Sequence, residues 1–237
     1  MRCGRGAPDH KDQVHAKRRK MKHVLGRLPL LLLLGGAAAC AENVPSAVGR
    51  ITYGDSPAEG AAICSGILVA PDLVLTAGHC VRGAAETPAS IRFDAGWNGG
   101  QPAAQRRGAA VILSGAAGLA EDVALVMLQA PFPPGAAEPL SLAPPSATTF
   151  TLLAFRRDAP GQLSPPTACH PRASTPGLLG LDCPAVSGNS GAPLLQRGDN
   201  GWQVVAIMVA ASGSGTVRSW AALPPDWVQL RIPDRAD

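Results

Sequence analysis

CSGILVAPDLVLTAGHC, residues 64–80, decides the fold class. Its two apolar runs, CSGILVA and DLVLTAG, are broken at Pro71-Asp72, and each is too short for a helix of ordinary size. β-branched residues recur at alternate positions, Ile67 and Val69 in the first run, Val74 and Thr76 in the second, which is strand patterning. The same alternation of short apolar runs with Gly, Pro, Ser and Asp clusters continues outward: ASIRF (89–93), GAAVILSG (108–115), DVALVML (122–128), TTFTLLAF (148–155), GLLGLDC (177–183), APLLQ (192–196) and WQVVAIMVAAS (202–212). That spacing predicts an all-β chain, a barrel or a sandwich.

Between Leu128 and Thr148 lies QAPFPPGAAEPLSLAPPSA, whose prolines remove backbone donors and block regular pairing. It reads as a surface connector dividing the chain into similar halves, 48–135 and 148–230. LPPDWVQL, 223–230, opens with prolines and then offers Trp227 and Leu230 at helical spacing, so a short closing helix is expected. Trp202, Trp220 and Trp227 lie in or beside apolar runs and read as packing aromatics.

The N-terminal segment is of a different kind. Leu28 to Ala39 is an apolar block of about half the length needed to cross a bilayer. It is preceded by Met21, Lys22, His23 and Arg27 and followed by GGAAACA at 35–41. This is the pattern of a signal peptide over 21–41, cut after Ala39 or Ala41. Because Met21 opens a complete signal peptide, residues 1–20, with KRRK at 17–20, read as an upstream extension from a misassigned start. Residues 1–40 hold nine of the 21 Lys and Arg and two of the 17 Asp and Glu, so the remainder carries about −3. The basic balance belongs to the leader and gives no reason to expect nucleic acid as a partner. Cys40 fits either a lipid anchor or a cysteine beside an ordinary cleavage site; the preceding alanines lack the Leu usual in a lipobox.

The remaining four cysteines, Cys64, Cys80, Cys169 and Cys183, are an even number in an exported chain, which favours two disulfides. The spacing is single and long, with none of the paired CxxC units of zinc sites, and only His79 and His170 remain beyond the leader. No metal or other cofactor is expected. The site of action is then periplasmic or extracellular, tethered if Cys40 is lipidated.

Three segments carry chemistry: LTAGHC at 75–80, EDVALVML at 121–128 and SGNSGAPLL at 187–195. A serine hydroxyl is a poor nucleophile at neutral pH, so an imidazole must take its proton and a buried carboxylate must fix the imidazole tautomer. Ser190, His79 and Asp122 can supply those roles.

In their order and local contexts these segments resemble the chymotrypsin family of serine peptidases. The resemblance covers about residues 48–230 and implies two six-stranded antiparallel β-barrels with the active site between them. His79 and Asp122 would sit on the first barrel and Ser190 on the second. It also implies the pairs Cys64–Cys80 and Cys169–Cys183, and an oxyanion hole made by the N–H groups of Gly188 and Ser190, where glycines permit a tight turn. The expected activity is endopeptidase action on polypeptide substrates through an acyl-enzyme, by a monomer without a membrane span.

Departures from the pattern are informative. Digestive members have an Asp before the nucleophile, paired with a newly cut N-terminal amine; here that residue is Asn189, which cannot make the ion pair. Arg50-Ile51 only superficially resembles an activation site, being close to Cys64. The GNSG form resembles bacterial branches that include glutamyl endopeptidases and stress proteases. Ala192 replaces a common Gly and should be tolerated. Pro184 stands where trypsin carries its specificity Asp, and Asp182 is out of register. The run at 204–212 supplies one wall of the primary pocket with small apolar side chains, so a small or medium apolar substrate side chain is expected. His170 reads as an exposed loop residue. The alternative to an enzyme is a catalytically silent binding protein on the same fold; an esterase is disfavoured because the GxSxG elbow followed by Asp and then His is missing.

Overall fold

The structure, a computed structural model, describes residues 44–54, 63–97, 100–213 and 215–233. The signal peptide, the extension before it and Cys40 lie outside the described residues. Among the described residues no helix is long and apolar enough to cross a membrane.

Six strands form the first half: β1 (Val48–Tyr53), β2 (Cys64–Ala70), β3 (Leu73–Ala77), β4 (Ile91–Ala95), β5 (Ala104–Leu113) and β6 (Val123–Leu128). They close into an antiparallel barrel in the order β1-β2-β3-β6-β5-β4. The run 64–80 provides β2, β3 and then α1 (Gly78–Val81), a single helical turn. All five residues of β3 are buried, because one face lines the barrel and the strand Gly201–Ala211 of the second half packs against the other. A strand covered on both faces loses the polar alternation of a half-exposed one.

The second half contains β7 (Phe150–Leu152), β8 (Phe155–Arg156), β9 (Ala159–Leu163), β10 (Thr167–Cys169), β11 (Pro171–Thr175), β12 (Leu178–Leu181), β13 (Pro193–Gly198), β14 (Gly201–Ala211) and β15 (Ser219–Ala222). β8 and β9 make a separate hairpin, and the others form a sheet ordered β10-β7-β13-β14-β15-β12-β11. The two ends of that order, β10 and β11, are consecutive in the chain and meet at His170. The sheet therefore bends round towards itself at His170 as a half-barrel beside the closed first barrel, and the molecule has the layout of a chymotrypsin-like double barrel.

The run 148–155 does not form one strand. β7 ends at Leu152 and β8 begins at Phe155 in another sheet, because Leu153 packs into the core of the first half while Leu152 and Ala154 pack into that of the second. β14 serves both cores in the same way: Val204, Ile207 and Val209 face the first, Val205, Ala206 and Met208 the second. Adjacent Val205 and Ala206 share a face because the β13–β14 register slips between Leu194 and Leu195.

The proline-rich connector is fastened to both halves. Leu140 N–H donates to Leu68 C=O at 3.0 Å, and Ala143 and Ser141 exchange hydrogen bonds with Val204 at 2.9 Å. The closing helix α2 (Asp226–Gln229) follows Pro225 as expected, but Val228 is its buried residue and Leu230 is 84% exposed. A helix of one turn cannot place Trp227 and Leu230 on one covered face. Trp202, Trp220 and Trp227 are half-buried against the first core, as their surroundings in sequence suggest.

Candidate active site

Neighbouring strands β3 and β6 set two of the three candidate residues side by side. Ala77 pairs with Val123, so the residues beyond that pair, Gly78 and Asp122, face each other, and Gly78 N–H donates to the Asp122 carbonyl at 2.9 Å. One residue on, the His79 backbone N–H donates to Asp122 Oδ1 at 2.8 Å and His79 Nδ1 lies 2.5 Å from Oδ2. A carboxylate only accepts, so Nδ1 carries the proton and Nε2 is the basic nitrogen. Burial alone would raise the Asp122 carboxyl, but the hydrogen bonds and charge of His79, with Arg82 at 3.9 Å, hold it below its ordinary value. His79 itself is open to solvent.

Ser190 lies on the turn before β13. Its carbonyl accepts from Ser65 N–H on β2 at 2.8 Å. Gly191, at φ +77°, is pressed against Thr76 Oγ1 and the Ser65 carbonyl; an added Cβ would collide with both and lie 3.0 Å from Ala77 N, two residues before His79. Only a bare Cα in the left-handed region brings the serine turn this close to the strand that delivers the histidine.

Two peptide planes in this turn are fixed by their carbonyls. Ser187 C=O accepts from Arg157 N–H and Asn189 C=O from Ala192 N–H, both at 2.9 Å. In a trans peptide the N–H points opposite to the C=O, so the N–H groups of Gly188 and Ser190 are turned away from the scaffold. Among the described residues neither N–H has a protein acceptor, whereas those of Asn189 and Gly191 bond to Val186 and Met208 carbonyls. Gly188, at φ +101°, sits on β8; a Cβ there would lie 2.8 Å from Arg157 N and Phe155 O. Two free, fixed donors beside a serine suit an oxyanion.

Among the described residues no hydrogen bond joins the Ser190 hydroxyl to His79. In unliganded sites of this kind such bonds are commonly long and tighten with substrate. Beside Ser190 opens a cavity of about 200 Å³ lined by Ala185, Val186, Ser187, Met208, Ala210 and Ala211, without a charged side chain.

Both disulfides are the pairs that the family resemblance implies, Cys64–Cys80 and Cys169–Cys183. Cys64, His79 and Cys80 bring ligand atoms within 4.8 Å of one another, but both sulfurs are engaged in the disulfide and are not thiolate ligands. Asn189 is buried and satisfied by backbone: Nδ2 donates to Phe155 C=O at 3.1 Å and Oδ1 accepts from Val186 N–H at 2.9 Å. Arg50-Ile51 lies inside β1, with Ile51 fully buried and Arg50 paired to buried Asp94 at 2.8 Å. The Ala192 methyl is absorbed into the second core.

Asp182 is taken up elsewhere, accepting from the His170 backbone N–H at 2.8 Å, from Arg172 at 2.7 Å and facing His170 Nδ1 at 3.0 Å. His170 is exposed, as expected, yet repeats the backbone-and-ring grip of His79 on Asp122. Sequence reasoning passed over Ser65 and the β8–β9 hairpin, both of which touch the serine turn. The one signal for Ser65 was a hydroxyl within an apolar strand run.

A family model described as the trypsin-like peptidase domain matches residues 64–207, more than half of the 237-residue chain. The chain belongs to the trypsin-like peptidase family. A search among curated proteins found no match. Among solved structures, this trypsin-like chain is similar to the scabies mite inactivated protease paralogue S-D1, with a TM-score of 0.60 and 14% identity over 75% of this chain and 87% of that one. Likeness at that identity concerns the trypsin-like fold alone. The paralogue is described as inactivated, and the family as peptidases, so the residues of the site must carry the argument about catalysis.

Proposed function

We propose that this protein is an exported serine endopeptidase in which Ser190 attacks the scissile carbonyl, His79 accepts and returns the proton, and Asp122 orients His79. The observation that carries the reading is the double hold of Asp122 on His79, which leaves Nε2 as the base, opposite a serine turn with two free N–H groups. Proton transfer from Ser190 to His79 accompanies formation of the tetrahedral adduct. Its oxyanion is received by Gly188 and Ser190 N–H, and collapse of the adduct expels the amine with the proton from His79. Water then repeats the sequence on the acyl-enzyme.

The uncharged cavity beside Ser190 supports cleavage after small or medium apolar residues, since it offers no carboxylate for Arg or Lys and no cation for Glu. Two disulfides and the signal-like segment 21–41 support action in the periplasm or outside the cell. The GNSG turn supports a place among bacterial secreted enzymes. A catalytically silent binding protein is the second reading, favoured by the missing Ser190–His79 hydrogen bond.

Fluorophosphonate labelling of the oxidised chain 42–237 beside Ser190→Ala separates the two. Labelling of the parent alone, followed by casein digestion and cleavage of Ala or Val peptides before Lys or Glu peptides, is expected. A folded, disulfide-bonded parent that takes no label is the silent protein.

A further inference from the structure

Ser65 is fully buried on β2, next to Cys64, and its polar groups are all in use. Its N–H donates to Ser190 C=O at 2.8 Å and its C=O accepts from Thr76 Oγ1 at 2.8 Å. Its hydroxyl donates to Gly188 C=O at 2.9 Å and accepts from Phe155 N–H at 2.8 Å. One hydroxyl thus ties the first barrel to the serine turn and to β8 beneath it.

The bond to Gly188 has a geometric effect on the candidate oxyanion donors. The Gly188–Asn189 peptide lies between the two peptides whose N–H groups point outward. Holding its carbonyl limits rotation about Gly188, which at φ +101° and without a Cβ has backbone freedom that a bulkier residue lacks. In the digestive members that the chain resembles, an Asp before the nucleophile pairs with an N-terminal amine. Here Asn189 is neutral and bonded to Phe155 C=O, while Ser65 is bonded to Phe155 N–H, so the two side chains grip the same residue of β8 from opposite peptide groups.

We propose that Ser65 is the positioning residue of the oxyanion site, its hydroxyl holding the Gly188 carbonyl so that Gly188 and Ser190 N–H stay aimed at one point without an activation cleavage. The proposal rests on the peptidase reading above. Water cannot replace the hydroxyl in the fully buried strand without a cavity to hold it, so its loss leaves the Gly188 carbonyl and Phe155 N–H unpaired.

The test compares the parent with Ser65→Ala and Ser65→Cys, with rates expressed per titrated active serine so that loss of folded protein does not count. On a peptide p-nitroanilide with Ala at the cleaved position, kcat of Ser65→Ala falls at least about tenfold, short of the ~10³-fold cost of removing a donor outright, with KM nearly unchanged. A peptide boronic acid, whose adduct occupies the oxyanion position, weakens by a similar factor. Ser65→Cys, a weaker donor of nearly the same shape, falls less and serves where the alanine variant does not fold. Unchanged kcat per active site, or a loss confined to KM, overturns the proposal. A second measurement needs no turnover: the amide resonances of Gly188, Asn189 and Ser190 broaden by exchange in the variants and not in the parent. Sharp, unshifted amides in the variants overturn the proposal even if the parent takes no fluorophosphonate label, an outcome that by itself removes only the peptidase reading.

Discussion

Asp122 holds His79 through two oxygens, one on the backbone N–H and one on the ring. The backbone bond survives any ring rotation, whereas the ring bond decides the tautomer. Asp122→Asn therefore keeps the fold and loses the base: an amide aimed at Nδ1 can donate and stabilise the tautomer with its proton on Nε2. A fall in kcat of about 10⁴-fold with an unchanged unfolding midpoint is the expected result. Asp182 gives a matching test without catalysis. The His170 backbone N–H, against the opposing effect of burial, and then Arg172 and the His170 ring lower its carboxyl to about 2. Its unfolded value is near 3.9, so the folded state binds the proton less readily and the contribution of Asp182 to stability is full above about pH 4. It is lost as pH falls towards 2. Asp182→Asn should lower stability at neutral pH and flatten the acid limb between pH 4 and 2, read from urea midpoints across that range. His79, Asp122 and Ser190 stood out in the sequence as candidates because each sits in a short motif whose neighbours are themselves constrained. Ser65 was not, because its role depends on Gly188 and Phe155, which are 123 and 90 residues away.

Each candidate segment is short, and its position is fixed by what it is fastened to. Cys64–Cys80 closes a loop of 16 residues that contains β2, β3 and the residue before Cys80, His79 itself. Replacing both cysteines with serine should cost about 3 kcal/mol by the loop-closure argument, seen as a lower denaturant midpoint, with activity per folded molecule reduced less than stability. The pairing followed from the family resemblance, since the residues alone allowed three connectivities. The β8–β9 hairpin escaped notice for a different reason. FRRDAPGQL, 155–163, lacks apolar alternation, and its strands exist because Phe155 is fully buried beneath the serine turn and Pro160 C=O is bonded to Arg50. Tertiary packing, not local patterning, makes those residues extended.

The two halves cooperate because buried groups of one reach into the other: Ser65 to Gly188, Arg50 to Pro160, β3 against β14. All-β spacing was readable from sequence, since apolar runs are local signals. The fastening of the connector to Leu68 and Val204 was not, because hydrogen bonds from an irregular segment leave no periodic trace. The Arg50-Ile51 bond lies within the first barrel, so added trypsin should leave it intact in the folded protein and should not raise activity. N-terminal sequencing of any fragments checks this, and a fragment beginning at Ile51 with a rise in activity would contradict it. The bend of the second sheet at His170 bears on how the protein behaves at high concentration. Open sheets invite other chains to add to their margins. Here the two outermost strands are three and five residues long. Pro165 and Pro166 precede the first and Pro171 begins the second, and neither kind of site can donate the next rung of a ladder. The bend that brings these two short margins round towards each other thereby leaves little template for polymerisation.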